Sequence, residues 1–542
     1  MTEKVSIRPY LNQAYLLGLM LMAVGLTLSP FLISLSQFWL VLVWLVDAFF
    51  PPLKGGGKDK FSRFCNDKAA VFLVAFFLMH IIGLLYTSDF QYALKDLRVK
   101  LPILILPFIL SSMPPLSRKS FDVLMLVYVL SVFVATLFSF SAYLKHDYED
   151  VREISHFISH IRFCLNIVFC IAIIGFYLVK SRRAVEPVET PALKCLNRFL
   201  QCFLLLWFVY QIYIFESLSG YVILAAVVVV SAVYAFLRWK KGRGWRIAIG
   251  VSALAVLLVA TVVLKRQIKP LLKVETVDFS TLEQKTAQGN DYIHDTIYNP
   301  VEDGRFVGLY YCKKEMQKAW SERSNMPLEG TTTNGENLEA TLARYLTSKD
   351  LRKDAEGVSA LTDEDIRNVE QGVANYNNWR HPGLRARLSS TLFEYNQYQR
   401  FNNPNGGSLS QRIEFTRASF HIIGQHPWFG VGTGDVPQAF RRAYDEIKSP
   451  LNETHRFRAH NQYLAIAVAF GLVGLAFFLF VLLYPWFASR KTHTYLYMVF
   501  LCIILLSMFP EDTLETQAGA SFFAFFEALL LFAYPFDNQI KK

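Results

Sequence analysis

The sequence is poor in charge for its length, and its few cysteines form no recognisable arrangement. Only 18% of its 542 residues are Asp, Glu, Lys or Arg, whereas a soluble domain carries about 25%. The seven cysteines are scattered and none forms a Cys-x-x-Cys pair, so we expect neither a disulfide framework nor a zinc site. The histidine spacings give no His-Glu-x-x-His motif, and no metal or other cofactor is predicted.

The sequence contains many long apolar segments. The mean hydropathy is +0.28, and most of twelve apolar segments approach the ~20 residues that a helix needs to cross a bilayer. This pattern predicts an all-α polytopic membrane protein with about twelve transmembrane helices. The segments are 11–29, 31–50, 69–86, 101–113, 121–144, 161–179, 199–215, 218–237, 247–264, 460–484, 494–509 and 518–534.

Basic residues predict the orientation of these segments. Lys and Arg follow every even-numbered segment, for example at Lys54, Lys58 and Lys60 after the second and at Arg490 and Lys491 after the tenth. Cytoplasmic loops carry this excess, so both termini are predicted to be cytoplasmic. We therefore interpret the net charge of +11 as suited to a membrane surface rather than to nucleic acid. No nucleic-acid-binding motif accompanies the basic residues.

One outward loop has the size of a domain. We divide the chain into membrane helices over 1–264, a hydrophilic and mainly helical loop over 265–459, and membrane helices over 460–542. Within the loop, Thr362 to Asp365 is predicted to start a helix. Ser408-x-x-Gln411 and Asp435-x-x-Gln438 are predicted to cap two short amphipathic helices near its end.

The stretch AHNQYLAIAVAFG, 459–471, places a histidine at the front of an apolar run. His460 and Gly471 are eleven residues apart, which on one continuous helix places them on nearly the same face. Ala467 and Gly471 would form a small-xxx-small contact on that face. His460 is either an interfacial histidine with no functional role or a functional group held at the membrane surface.

Several basic residues share the outward side with His460. Outward arginines at helix ends run against the usual charge bias, and a bound anion would explain them because the guanidinium fork suits phosphate oxygens. Snorkelling or solvated side chains are the alternative for each residue alone, and Glu414 could pair with a neighbouring arginine. The residues are Arg98, Lys100, Arg162, Arg412, Arg417, Arg456 and Arg458.

Two further stretches flank the histidine candidate. Gly430 and Gly432 lie in a glycine-rich turn that precedes no Gly-Lys-Ser/Thr, so we interpret it as a tight turn that shapes a cleft rather than a nucleotide site. Glu511 and Asp512, in PEDTLETQ, are both predicted to face outward, and Glu511 is the candidate orienting carboxylate for His460. The alternative for this second stretch is a simple polar turn.

The region SLSQRIEFTRASFHIIGQHPWFGVGTGDV together with HRFRAHNQYLAIAVAFGLVGLAFFLF resembles the O-antigen ligase and polymerase superfamily. The matching features are an arginine-bearing helix followed by Pro-hydrophobic-Phe-Gly-Val-Gly, a His-Asn-x-Tyr-Leu helix start, and the spacing from His460 to Gly471. These local motifs cover about 70 residues. The helix count and the position of the large loop extend the resemblance over the chain.

The resemblance implies a GT-C-like glycosyltransferase of the bacterial inner membrane, with its active site facing the periplasm. Its donor would be an undecaprenyl-diphosphate-linked glycan, and for a ligase the acceptor would be a sugar of lipid A–core. His460 would be the catalytic base, and Arg412 with the other outward basic residues would hold the diphosphate. Family members often carry Ser-Arg at the start of the eighth helix, whereas Leu218 stands at the arginine position here.

The resemblance separates ligase from polymerase poorly. The alternatives are an O-antigen polymerase that extends the lipid-linked glycan and a protein O-oligosaccharyltransferase. A transporter could also have twelve helices, but it would be expected to carry charges at the bilayer midplane and paired broken helices. The predicted midsections are almost uncharged, with Glu527 as the main exception.

Overall fold

A computed structural model provides the structure of the chain. It describes residues 8–49, 57–145, 151–181, 191–238, 264–405, 407–488 and 493–535, with the isolated positions 255, 258, 261 and 262.

The described part is mostly helical. Its named α-helices are Arg8–Leu28 (α1), Pro30–Phe49 (α2), Gly57–Asn66 (α3), Lys68–Ile82 (α4), Phe90–Ser112 (α5), Arg118–Lys145 (α6), His160–Ser181 (α7), Pro191–Ile214 (α8), Leu218–Arg238 (α9), Lys313–Ser321 (α10), Leu338–Ser348 (α11), Ala355–Ser359 (α12), Asp363–Glu370 (α13), Tyr376–Arg380 (α14), Leu384–Phe401 (α15), Ser408–Gln425 (α16), Val436–Glu446 (α17), Gln462–Ala488 (α18), Tyr495–Ser507 (α19) and Gln517–Ala528 (α20).

Eight helices in the described part are long and apolar enough to cross a membrane. They are α1, α2, α4 with its extension to Tyr86, α6, α7, α8, α9 and α18, and each coincides with a predicted segment. The chain is therefore a multi-pass membrane protein. Helices α19 and α20 are apolar but shorter, and most of the predicted segment 247–264 lies outside the described residues. The number twelve stays a prediction.

The fourth predicted segment, 101–113, is wrong in its bounds. Helix α5 begins at Phe90, where the Asp89 side chain accepts a hydrogen bond from the Tyr92 amide. Pro102 and Pro107 lie inside the helix without ending it. The charged first half was missed because the apolar pattern starts only at Leu101.

The chain forms two compact units. The first comprises residues 1–250, 415–449 and 456–542. In it α1 packs against α2 and α6, α5 packs against α4 and α20, and α7 packs against α8, α9 and α19. Close approach is visible where Gly18 of α1 faces the Leu40 and Trp39 side chains of α2.

The second unit comprises residues 251–414 and 450–455. Helices α10 to α13 enclose an apolar core whose buried members include Trp320, Leu342, Tyr345 and Val369. A short antiparallel pair joins Val301–Glu302 (β1) to Arg305–Phe306 (β2).

The helix start predicted at Thr362 is confirmed. The Thr362 side chain accepts a hydrogen bond from the Asp365 amide, and the Asp365 carboxylate accepts one from the Thr362 amide. This reciprocal arrangement is a capping box.

Candidate active site

His460 lies two residues before α18. Its φ is +45°, in the left-handed region, where a non-glycine residue is uncommon and strain is often found at functional sites. The imidazole is about one-third exposed. It lies between two rings, with centroids 5.4 Å from Phe415 and 6.1 Å from Phe457. This histidine is therefore held in a defined position that remains accessible to solvent.

The residues after His460 fix the start of α18. The Asn461 side chain accepts a hydrogen bond from the Leu464 amide at 3.0 Å and donates to the Phe509 carbonyl at 2.9 Å. The Gln462 side chain accepts a hydrogen bond from the Leu514 amide at 2.6 Å. The His-Asn-x-Tyr-Leu motif thus fastens the helix start to the polar segment that follows α19.

That segment brings carboxylates to His460. Asp512 Oδ1 lies 3.9 Å from His460 Nδ1, and potential ligand atoms of His460, Glu511 and Asp512 all lie within 4.8 Å of one another. The sequence predicts Glu511 as the orienting carboxylate with Asp512 on the same side, and the structure brings both carboxylates to the ring. A carboxylate in this position orients an imidazole and stabilises its protonated form.

The same three residues have the donor types of a metal site. Two arginines already face the carboxylates: Arg162 Nη2 is 3.6 Å from Glu511 Oε2, and Arg458 Nη2 is 3.7 Å from Asp512 Oδ2. A metal cation would compete with both guanidinium groups for these oxygens. The charge arrangement therefore suits an acid–base histidine between carboxylates and arginines without a metal.

A buried charge cluster lies next to this arrangement. Glu515 Oε2 is 2.9 Å from Lys100 Nζ and 3.1 Å from Arg458 Nη1, while Lys100 also pairs with Asp96 at 2.5 Å. Burial alone raises the pKa of Glu515, but the charges of Lys100 and Arg458 outweigh it and hold that pKa well below its usual range. These residues line a cavity of about 20 Å³.

The cluster was only partly visible in the sequence. Lys100 and Arg458 were predicted to contact a diphosphate, and the structure places both against carboxylates. Asp96 and Glu515 were missed, although Asp96 and Lys100 stand four residues apart on α5, the spacing of a helical ion pair.

The remaining basic candidates are distributed differently. Arg162 is mostly buried and faces Glu511. Arg98 and Arg417 are exposed. Arg412 is half-buried on α16. Leu218 begins α9, directly after Ser217, whose hydroxyl accepts a hydrogen bond from the Gly220 amide at 3.2 Å.

Helix α18 is broken at Gly471, which corrects the predicted continuous face from His460. The helix begins only at Gln462, and Gly471 has φ +65° and ψ −168°. The backbone of 427–432 enters the break. The Val431 amide donates to the Val468 carbonyl at 3.0 Å, and the Leu472 amide donates to the Pro427 carbonyl at 2.7 Å. This exchange satisfies groups that the broken helix would otherwise leave unpaired.

Glycines allow this close approach. Gly430 and Gly432 both have positive φ values, +66° and +89°. A Cβ atom on Gly430 would lie 2.4 Å from the Ala469 carbonyl carbon, and one on Gly471 would lie 2.2 Å from the Trp428 carbonyl carbon. The glycine-rich turn is thus a packing element against α18.

Asp435 does not cap α17 as predicted. Its side chain makes no capping hydrogen bond. Instead its carboxylate accepts hydrogen bonds from the Ser88 and Asp89 amides, each at 2.9 Å, and from the Ser88 hydroxyl. Asp435 therefore fastens the glycine-rich turn to the loop before α5. Local sequence could not reveal this because the partners are about 350 residues away.

We expect Asp435→Asn to weaken folding in a pH-dependent way. Burial raises the pKa of Asp435, but the hydrogen bonds from Asp89 and Ser88 outweigh it and hold the pKa below its usual value. A lowered folded-state pKa gives stability that is present above the unfolded pKa and lost as the pH falls through the folded one. In thermal unfolding of the detergent-solubilised protein at pH 7, the melting temperature of the parent should exceed that of the variant. If this difference in melting temperature did not shrink below pH ~3.8, the stabilising role of the ionised Asp435 carboxylate would be contradicted.

The fold and the site together define a multi-pass membrane protein with a histidine–carboxylate–arginine site beside the start of a broken helix. Residues 387–479 match the family model described as O-Antigen ligase. The matched region contains Arg412, Gly430, His460 and Gly471, and it confirms the resemblance to the O-antigen ligase superfamily. It points to a ligase- or polymerase-type glycosyltransferase. No curated protein matches the chain.

Proposed function

We propose that the protein is an O-antigen ligase: an inverting glycosyltransferase that moves a glycan from undecaprenyl diphosphate to a sugar of lipid A–core. The observation that supports this proposal is the position of His460, which is accessible and whose Nδ1 lies 3.9 Å from Asp512 Oδ1. Arg162 lies against the Glu511 carboxylate and Arg458 against the Asp512 carboxylate. The family match over 387–479 supports the same class of reaction.

His460 is the general base. An acceptor hydroxyl must lose its proton as it attacks the anomeric carbon, and a neutral imidazole can take that proton. Asp512 lies where its charge stabilises the imidazolium that forms. Attack on the face opposite the departing diphosphate inverts the anomeric configuration.

The basic residues act on the donor. The leaving diphosphate carries its negative charge away from the sugar, and guanidinium groups hold phosphate oxygens through paired hydrogen bonds. Arg162 and Arg458 are proposed as the main contacts, and Arg412, Arg98, Lys100 and Arg417 remain candidates from the sequence. Since the chain's own cations supply this charge, we expect transfer to be independent of metals and unchanged in EDTA.

The glycolipid profile of a strain that lacks the gene tests this function. A ligase predicts unattached lipid-linked polymer together with free lipid A–core. Core that carries single repeats would identify a polymerase, and unglycosylated protein with normal lipopolysaccharide would identify a protein O-oligosaccharyltransferase. An unchanged profile would favour a transporter of another compound.

The proposal requires the site to face the periplasm. We expect a cysteine placed at position 350, in the second compact unit, to react with an impermeant maleimide added to intact spheroplasts. The native exposed cysteines, such as Cys65, provide an opposite-side control because Cys65 follows the second predicted span. Reaction of position 350 only after permeabilisation would overturn the orientation and the mechanism with it.

Arg412→Lys should impair transfer although it keeps the charge. Lysine cannot reproduce the bidentate fork, and a hydrogen bond to a charged group contributes about 1.5–3 kcal/mol, so we expect about a ten- to hundred-fold loss in kcat/KM. The exposed Arg441 of α17, which is not among the proposed donor contacts, provides the control through Arg441→Lys. Parental transfer by Arg412→Ala in membranes would remove Arg412 from the donor site.

A further inference from the structure

A second, smaller cavity lies beside the candidate active site. Its volume is about 10 Å³, which is the room needed for one oxygen-sized group such as a water molecule. Most of its wall is apolar. Its polar lining residues are Arg162, Asn166 and Thr513.

The hydrogen-bonding capacity of this cavity is concentrated on two atoms. Asn166 is satisfied, because it donates to the Arg162 carbonyl at 2.8 Å and accepts from the Tyr128 hydroxyl at 2.7 Å. Arg162 Nε and Thr513 Oγ1 are buried and have no hydrogen-bond partner among the described residues. Thr513 is only 1% exposed, so bulk water does not solvate it.

Two buried polar atoms without partners, both on residues that line one oxygen-sized space, require a hydrogen-bond partner. Buried polar groups are nearly always hydrogen-bonded, and a native exception calls for an explanation such as a bound water or ion. Arg162 supplies a fixed positive charge and an N–H, and the Thr513 hydroxyl supplies a second donor. A small acceptor with a partial or full negative charge fits this arrangement.

We propose that this cavity binds one oxygen atom, either a phosphate oxygen of the lipid-linked donor or a fixed water, through Arg162 Nε and the Thr513 hydroxyl. The donor-derived source rests on the proposed function. The cavity adjoins the catalytic arrangement because Arg162 Nη2 faces Glu511 and Thr513 directly follows Asp512. Thr513 thereby becomes a further binding residue.

Thr513→Val tests the proposal because it removes the hydroxyl and keeps the shape of the side chain. Thr513→Ser keeps the hydroxyl and is the matched control. Two quantities are measured on the detergent-solubilised full chain: the melting temperature without ligand, and the affinity for farnesyl diphosphate as a probe of prenyl-diphosphate binding.

A phosphate oxygen predicts that Thr513→Val weakens farnesyl diphosphate binding about ten- to hundred-fold, while Thr513→Ser stays near the parent. A fixed water predicts unchanged binding and a melting temperature lowered by about 1–3 °C. If the site holds nothing, removing an unpaired hydroxyl is neutral or stabilising, and that result with parental binding overturns the proposal. Failure of the parent itself to bind the probe would count against the proposed function, while the melting comparison would still decide the cavity.

Discussion

His460→Ala is expected to lower the rate of glycan transfer by about 10²–10⁴-fold, the usual effect of removing a general base. Donor binding should change little, because the proposed donor contacts are arginines. The loss should therefore appear in kcat rather than in KM. Purified protein with a lipid-linked donor and a defined acceptor provides the measurement.

His421 is the sharpest control for that result. It is another partly exposed histidine of the same compact unit, and its Nε2 lies 2.6 Å from Glu446 Oε2. His421→Ala should leave transfer near the parental rate. If instead His421→Ala abolished transfer and His460→Ala stayed within a few-fold of the parent, the base would have to be reassigned.

The second large effect is expected at Gly471. An alanine there would place Cβ 2.2 Å from the Trp428 carbonyl carbon and would occupy a left-handed conformation that side chains avoid. The contacting atoms are backbone, so neither side can yield by a rotamer change. We expect Gly471→Ala to lower the free energy of unfolding by more than about 2 kcal/mol, because the backbone clash adds to the conformational penalty.

Thermal unfolding and size-exclusion chromatography in detergent measure this loss. Gly424, near the end of α16, has no atom within 4 Å of an added Cβ, so Gly424→Ala is the matched control and should be neutral or slightly stabilising. A Gly471→Ala protein as stable as Gly424→Ala would contradict the inserted-loop arrangement.

The sequence predicts the structure correctly where the determinant is local. Apolar length predicted the segments that the eight long apolar helices confirm, and Thr362 with Asp365 carries its capping information within four residues. The motif around His460 was also recognisable, because the family match covers it.

The sequence fails to predict the structure where the determinant is a distant partner. The apolar run through Gly471 has the pattern of an unbroken helix, and only the 427–432 backbone reveals the break. Asp435 has the pattern of a helix cap, but the amides of Ser88 and Asp89 bind its side chain instead. Asp512 could not be distinguished from Glu511, because adjacent residues point in different directions only once the turn is formed.

The inserted loop has a consequence for how the protein is made. The carbonyls of Val468 and Ala469 accept hydrogen bonds from amides of a segment synthesised before them, and a bilayer offers no water as a substitute. Helix α18 therefore cannot complete its bonding during membrane insertion until the preceding segment joins it. A chain split between α17 and α18 should yield two fragments that accumulate only when both are co-expressed.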